Sequence, residues 1–121
     1  RVNGIRKENP ALQSDWSLRF HNVDNDNLIC YSKQTEDSRN VILTVVNLDF
    51  HRVQSGWVNL GLEPLGLDTK QPYQVHDLLT DAHYVWQGAR NFVQLDPSSV
   101  PAHIFRIRHR TRSEQDFDYF M

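Results

Sequence analysis

Short stretches in which apolar and polar residues alternate recur about every ten residues along the chain, and this pattern constrains the fold more than any other feature. Alternation with a period of two is typical of strands with one buried face. Clusters rich in Gly, Pro, Asn and Asp separate the stretches, as expected of turns. The pattern predicts an antiparallel β-sandwich of about eight strands: WSLRFH, LICYSK, VILTVVNL, GWVNLGL, YQVHDLL, HYVWQ, NFVQL and AHIFRIR.

The third stretch, VILTVVNL at residues 41 to 48, is apolar on both faces, which predicts a central strand covered from both sides. A sandwich covers only the inner face of such a strand. Val2 and Ile5 lie one helical turn apart and predict a short N-terminal helix. It should end near Asn9, because Pro10 disfavours helical geometry in the residue before it. We expect either this helix or a partner domain to cover the outer face.

Two local connections are predicted from the turn residues. The first two strands should form a hairpin around NVDNDN, with Trp16, Leu18 and Phe20 on its apolar face. Further along, the tripeptides TDA and GAR are interpreted as the two corners of a meander of three consecutive strands.

Charge and length exclude several classes of partner. A formal net charge of −2, with acidic and basic residues interspersed, argues against nucleic acid. No run approaches the roughly 20 apolar residues that span a bilayer, so no membrane partner is expected. Four arginines follow one another at a period of two, which would place them on one face of a strand: Arg106, Arg108, Arg110 and Arg112. This face could be either an anion-binding stripe or a solvated outer face.

The single cysteine indicates the compartment. Cys30 has no partner for an internal disulfide and lies in the alternating stretch LICYS, so we predict a buried, inert thiol. A cytoplasmic location is favoured.

The acidic residues do not suggest a catalytic pair of carboxylates. Most of them fall in turns, where Asp is favoured for backbone reasons. Asp77 lies inside a strand, and we interpret it as a structural carboxylate that binds backbone amides rather than as a buried catalytic acid. The sequence contains neither a G-x-S-x-G nucleophile motif nor a phosphate-binding glycine loop. No catalytic residue is predicted.

Six histidines raise the question of a metal site, but no two have the i, i+4 helical or i, i+2 strand spacing that converges on one ion. His76 and His83 could be neighbours across the TDA turn, although no Cys or carboxylate stands at a matching offset. We expect no metal and no cofactor.

Aromatic residues leave carbohydrate binding as a hypothesis, because exposed rings can stack on sugars. Tyr84 and Trp86 share one strand face, and Trp57 lies in another strand. These three residues are the candidate carbohydrate-binding side chains. Core packing is nevertheless favoured for these rings, since aromatic residues are enriched in strands and fill domain interiors.

Several segments resemble a known family. IRKENPALQ, RFHNVDNDNLICYSK, VILTVVNLD, GWVNLGLEPLGL, YQVHDLLTDAHYVWQGARNFVQLDP and PAHIFRIR resemble the C-terminal region of the bacterial alpha-1,4-glucan:maltose-1-phosphate maltosyltransferases, in the alpha-amylase family, glycoside hydrolase family 13. The pattern VHDLLT, W-x-G and L-x-P is its most specific part. Related enzymes such as trehalose synthases share looser versions.

The resemblance implies that residues 1–14 are the end of the last helix of a catalytic (β/α)8 barrel and residues 15–110 the β-sandwich called domain C. It leaves residues 111–121 unmatched, and because this tail shows no periodicity we expect it to be mobile or to form a short turn of helix. The resemblance also implies that the catalytic carboxylates lie on barrel strands outside this chain, because such a barrel needs about 200 residues or more. The expected function is a non-catalytic domain that packs on the barrel of the parent chain. The alternatives are an independent carbohydrate-binding module for alpha-glucan and an immunoglobulin-like interaction module.

Overall fold

The computed structural model describes residues 2–13, 17–35, 40–99 and 102–109. These ranges contain one short helix, α1 (Val2–Glu8), a 3-10 turn (Pro10–Gln13) and eight strands. The strands are β1 (Arg19–Val23), β2 (Leu28–Gln34), β3 (Val41–Asn47), β4 (Gln54–Asn59), β5 (Tyr73–Asp77), β6 (His83–Trp86), β7 (Arg90–Leu95) and β8 (Ala102–His109). The all-β class, the eight strands and the end of α1 before Pro10 are confirmed.

All the strand pairs are antiparallel, and the strand order is β6-β5-β8-β3-β2-β1-β4-β7. The predicted β1–β2 hairpin is confirmed. The predicted three-strand meander is wrong, because β6 pairs with β5 whereas β7 pairs with β4 at the opposite edge. Only TDA is a hairpin corner. At GAR, Gly88 has a left-handed φ of 77° and the chain crosses to the other edge.

The sheet curls so that its two ends meet. Asn91 on β7 donates from its side-chain amide to the hydroxyl of Tyr73 on β5 at 3.0 Å, although these strands lie near opposite ends of the order. Side chains from both ends then share one buried core that includes Val75 of β5, Val58 of β4 and Leu95 of β7. The assignment as a two-sheet sandwich stays a prediction.

Strand β3 is covered on both faces, as its sequence predicts. Leu43 points into the main core, while Ile42 belongs to a second buried cluster with Ile5 and Ala11 of the N-terminal segment. Both strand residues have 0% of their surface exposed. The N-terminal segment therefore covers part of the outer face, which confirms the first of the two alternatives, the helix rather than a partner domain, for this part of β3.

The buried face of β1 is the reverse of the predicted one. Leu18 and Phe20 are 44% and 68% exposed, whereas His21 is buried. Ser32 Oγ lies 2.7 Å from His21 Nε2, and the backbone amide of Gly61 donates to Nδ1, so Nε2 carries the proton. Burial first, and then the nearby Arg19, lower the pKa of His21. A neutral, fully paired imidazole thus replaces the apolar face that alternation suggested.

Several expectations concern residues outside the described ranges. These are the face of Trp16, the outer half of the arginine stripe at Arg110 and Arg112, and the tail at residues 111–121. The proposed domain boundaries stay a prediction. None of the helices in the described ranges is long and apolar enough to cross a membrane.

Candidate functional site

Trp57 projects from the outer face of β4, between two core-facing neighbours. Gly56 and Val58 are buried, and Trp57 is 42% exposed. Its partner across the β4–β7 ladder is Phe92, which is 49% exposed, and the two ring centroids are 5.5 Å apart in an edge-on arrangement. Strand alternation alone places both rings toward solvent.

Polar groups lie around the Trp57 ring. The guanidinium carbon of Arg90 lies 5.0 Å from the ring centroid, a cation–π distance. One Arg90 nitrogen is 3.9 Å from Asp24 Oδ2, and the backbone amide of Trp57 donates to Asp24 Oδ1 at 2.8 Å. Asp24 therefore orients both the strand and the arginine. We call Asp24, Trp57, Arg90 and Phe92 the Trp57 surface.

A glycine allows the β1–β2 turn to approach β4 closely. A Cβ atom at Gly56 would lie 2.8 Å from Asp24 Oδ1, closer than real Cβ contacts allow. The turn also binds β4 through Asn25, whose side-chain amide donates to Gln54 Oε1 and to the Ser55 carbonyl at 2.9 Å each. The polar side chains of the turn, including Asp24 and Asn25, thereby lie beside the exposed ring of Trp57.

Two clefts flank Trp57. The first, of about 540 Å³, is bounded by the β1–β2 turn at residues 24 to 27 together with Trp57 and Phe92. The second, of about 200 Å³, adds Asn22, Asn59 and Arg90. An aromatic ring beside amide, carboxylate and guanidinium groups offers stacking together with hydrogen-bond donors and acceptors. The polar residues of both clefts were missed in the sequence, since none follows a recognisable motif.

The other two candidate residues lie elsewhere. Tyr84 and Trp86 share one face of β6, as predicted, and both meet the buried ring of Phe105, with centroids 6.3 and 5.3 Å away. Trp86 is half-buried and packs against the main core, whereas Tyr84 is 44% exposed. Because Trp57 lies on the outer face of β4, the structure does not bring the three candidates together.

Asp77 has the structural role expected of it. It is 0% exposed, its Oδ1 accepts the backbone amide of Leu79 at 3.0 Å, and its Oδ2 lies 2.7 Å from His103 Nδ1. Burial alone would raise the pKa of Asp77, but hydrogen bonds from His103, Leu79 and Thr80 outweigh it and leave the pKa below its ordinary value. The carboxylate fixes the end of β5 and its turn.

Cys30 is also as predicted. It is a free thiol with 1% of its surface exposed, and burial raises its pKa to about 12. A thiol that keeps its proton at neutral pH is neither a nucleophile nor a metal ligand.

The histidine pair differs from expectation in one respect. His76 and His83 do face each other across the β5–β6 hairpin, but a carboxylate accompanies them. Asp81 Oδ1 lies 2.6 Å from His76 Nε2 and 4.0 Å from His83 Nε2. The expectation that no carboxylate stands at a matching offset was wrong, because the left-handed turn at Asp81, with φ of 64°, directs that residue to the pair.

Comparison with known proteins identifies the family. A family model described as "GLGE, C-terminal" matches residues 20–107, which is most of the described sheet. The chain belongs to the GLGE C-terminal family. This match confirms the resemblance drawn from the sequence motifs.

Two relatives of this GLGE C-terminal chain are named as maltosyltransferases. The chain is 46% identical over 115 residues to an alpha-1,4-glucan:maltose-1-phosphate maltosyltransferase of Salinibacter ruber, a match that covers 95% of the chain and 17% of the relative. It is 47% identical over 108 residues to alpha-1,4-glucan:maltose-1-phosphate maltosyltransferase 2 of Streptomyces coelicolor, covering 89% of the chain and 16% of the relative. The chain thus spans about one sixth of the length of these relatives.

Proposed function

We propose that this chain is the C-terminal domain of a maltosyltransferase that elongates alpha-1,4-glucan from maltose 1-phosphate in the cytoplasm, and that it packs on and stabilises the enzyme's (β/α)8 barrel without contributing catalytic residues. The observation that carries the proposal is the family match over residues 20–107. Two relatives named as maltosyltransferases also align with 95% and 89% of this chain. The two-sheet sandwich expected of a domain C belongs to the same proposal.

The outer face of β1, β2 and β3 supports docking. Phe20 pairs with Tyr31, and their ring centroids are 6.0 Å apart. Ile29 pairs with Val46 in a neighbouring row of the same face. We call Phe20, Ile29, Tyr31 and Val46 the outer apolar patch. It adjoins the part of β3 that α1 covers, and Phe20 is 68% exposed. The other three side chains are partly exposed, and contiguous apolar surface of this kind is typical of interaction surfaces.

The proposed contact accounts for the reversed face of β1. By facing inward His21 gains its hydrogen bonds with Ser32 and Gly61, and a domain docked through the outer apolar patch would also bury the outward-facing Phe20 against its neighbour. Interfaces between domains of one chain bury about 600 to 1,500 Å², enough to cover this patch.

The test is made in the full-length parent enzyme. Phe20→Ser should lower the melting temperature and the half-life of transferase activity on heating. Phe50→Ser is the matched control, because Phe50 is 81% exposed in the β3–β4 loop outside the patch, and it should change neither quantity. Deleting the domain should give insoluble or inactive protein. A soluble, fully active enzyme after the deletion would contradict the proposal.

A second candidate function, binding of alpha-glucan, is favoured by the Trp57 surface. The exposed ring lies between two clefts lined by Asp, Asn and Arg side chains. A glucan would stack on Trp57 or Phe92 and exchange hydrogen bonds with Asp24 and the amides of the turn. Stacking on the Trp57 face that Arg90 covers requires the guanidinium to swing aside, and Arg90 is mostly exposed.

Calorimetric titration of maltoheptaose into the chain separates the two functions. Binding that Trp57→Ala abolishes, while Phe20→Ala leaves it intact, would establish a glucan site at the Trp57 surface. Loss of binding in Tyr84→Ala would instead assign it to the β6 face that Tyr84 shares with Trp86. A flat trace with the unaltered chain would end this candidate function.

A further inference from the structure

The β5–β6 hairpin brings three metal-binding side chains to one point on the outer surface. His76 and His83 are directly opposite in the ladder, and their rings stack with centroids 4.1 Å apart and an angle of 9° between their planes. Asp81 extends from the turn to the same point. One ligand atom from each of the three residues lies within 4.8 Å of the other two.

We propose that His76, Asp81 and His83 form a binding site for a divalent transition-metal ion, with Zn²⁺ as the reference ion. Two imidazole nitrogens and one carboxylate oxygen are a donor set that suits Zn²⁺, Co²⁺, Ni²⁺ and Cu²⁺, and water completes the coordination. The proposal is independent of the docking and glucan-binding functions, since it rests on the hairpin alone.

The two contacts of Asp81 require only a small adjustment. In a tetrahedral site with metal–ligand bonds of about 2.0 to 2.1 Å, neighbouring ligand atoms are about 3.4 Å apart. The 2.6 Å contact of Asp81 with His76 must open, and its 4.0 Å contact with His83 must close. The side chains of His83 and Asp81 are 70% and 75% exposed, so they can move. His76, with 19% exposure, is the fixed ligand.

Arg106 competes with the ion. Its Nη2 atom lies 3.2 Å from His76 Nδ1. Because a guanidinium only donates hydrogen bonds, Nδ1 accepts and the imidazole proton lies on Nε2, directed at Asp81. Coordination through Nε2 requires that proton to move to Nδ1, with no net proton release, and the bond from Arg106 to break. The positive charge of Arg106 also opposes a second cation nearby.

This competition gives the proposal a specific signature. Arg106→Gln removes the charge and supplies an amide oxygen that accepts the Nδ1 proton of His76. Metal-binding histidines usually donate their second ring proton to such an acceptor. The substitution should therefore raise the affinity of the site for Zn²⁺, whereas removal of a ligand should lower it.

The experiment is calorimetric titration of ZnCl₂ into this chain, free of any affinity tag, in a buffer that does not bind metals. We expect saturable binding of one ion, at least about tenfold weaker in His83→Ala and in Asp81→Asn, and tighter in Arg106→Gln. His51→Ala, which removes an exposed histidine in the β3–β4 loop, is the matched control and should bind as the unaltered chain does.

Circular dichroism checks that each variant remains folded, which is expected because His83 and Asp81 are mostly exposed. Absence of saturable binding, or equal affinity in the unaltered chain, His83→Ala and Asp81→Asn, would overturn the site. Unchanged or weaker binding by Arg106→Gln would overturn the competition with Arg106.

Discussion

Ile42 lies where the N-terminal segment meets the sheet, and its replacement by alanine tests whether α1 is an integral part of this fold. The side chain is 0% exposed, yet it points away from the main core. It shares a small buried cluster with Ile5 and Ala11 of the N-terminal segment and with Leu78 after β5. If the N-terminal segment did not dock on the sheet, Ile42 would lose the first two of these neighbours and become partly exposed.

The expected loss of stability follows from the carbon atoms removed. Ile42→Ala deletes three buried carbons, which at about 0.8 kcal/mol for each buried CH₂ gives about 2.4 kcal/mol from transfer alone. A cavity term adds to this, and core Ile→Ala substitutions lie between about 2 and 5 kcal/mol. We expect about 3 kcal/mol, similar to Leu43→Ala on the opposite, inner face. Val46→Ala, on the same face outside the cluster and partly exposed, should cost about 1 kcal/mol or less.

Urea unfolding followed by tryptophan fluorescence measures these free energies. A midpoint that falls without a change in slope indicates a change in stability alone. The double variant Ile5→Ala/Ile42→Ala should lose less than the sum of the single variants, because both open the same cluster, with a coupling of about 0.5 to 3 kcal/mol. A loss below 1 kcal/mol for Ile42→Ala, or strict additivity with Ile5→Ala, would refute docking of the helix.

Four further outcomes are expected. Cys30, with a pKa raised to about 12 by burial, should react with a thiol reagent only after unfolding, and rapid labelling of the folded chain would contradict its burial. Tyr73→Phe removes a hydroxyl that donates to the Gly88 carbonyl at 2.8 Å and accepts from Asn91, so urea unfolding should show a loss of about 1 to 2 kcal/mol. Burial also raises the pKa of Tyr73 to about 12, so the folded chain keeps a proton that the unfolded chain loses above about pH 10. The stability of the unaltered chain should therefore fall between about pH 10 and pH 12, and it should fall more than that of Tyr73→Phe. The pKa of Asp77 is below its ordinary value of 3.8, so the unfolded state binds the proton first as the pH falls. The unaltered chain should therefore lose stability below about pH 4. An equally steep loss in Asp77→Asn would show that another group is responsible.

The predicted site residues show where sequence patterns reach their limit. Trp57 is a candidate as an aromatic residue in a strand, and its exposure shows that the favoured expectation of core packing is wrong for this ring. Arg90 and Asp24, which lie around the ring, come from a different strand and a turn, so only the β1–β4–β7 pairing brings them together. The sequence pattern does not predict the position of the Asp81 carboxylate either, because that position depends on one left-handed backbone angle in the turn.

The sequence by itself determined the strands, most of the turns, the two buried faces of β3 and the end of α1 at Pro10. These are local consequences of side-chain periodicity and of the limited conformations of a residue before proline. The sequence also contains enough of the family's motifs for the family to be recognised from them. Tertiary structure alone decided which strands are neighbours, that GAR crosses between the edges of the sheet, and that His21 rather than Phe20 faces inward. Each depends on contacts between residues far apart in the chain, such as His21 with Ser32 and Gly61, and alternation carries no information about which distant partner completes a face.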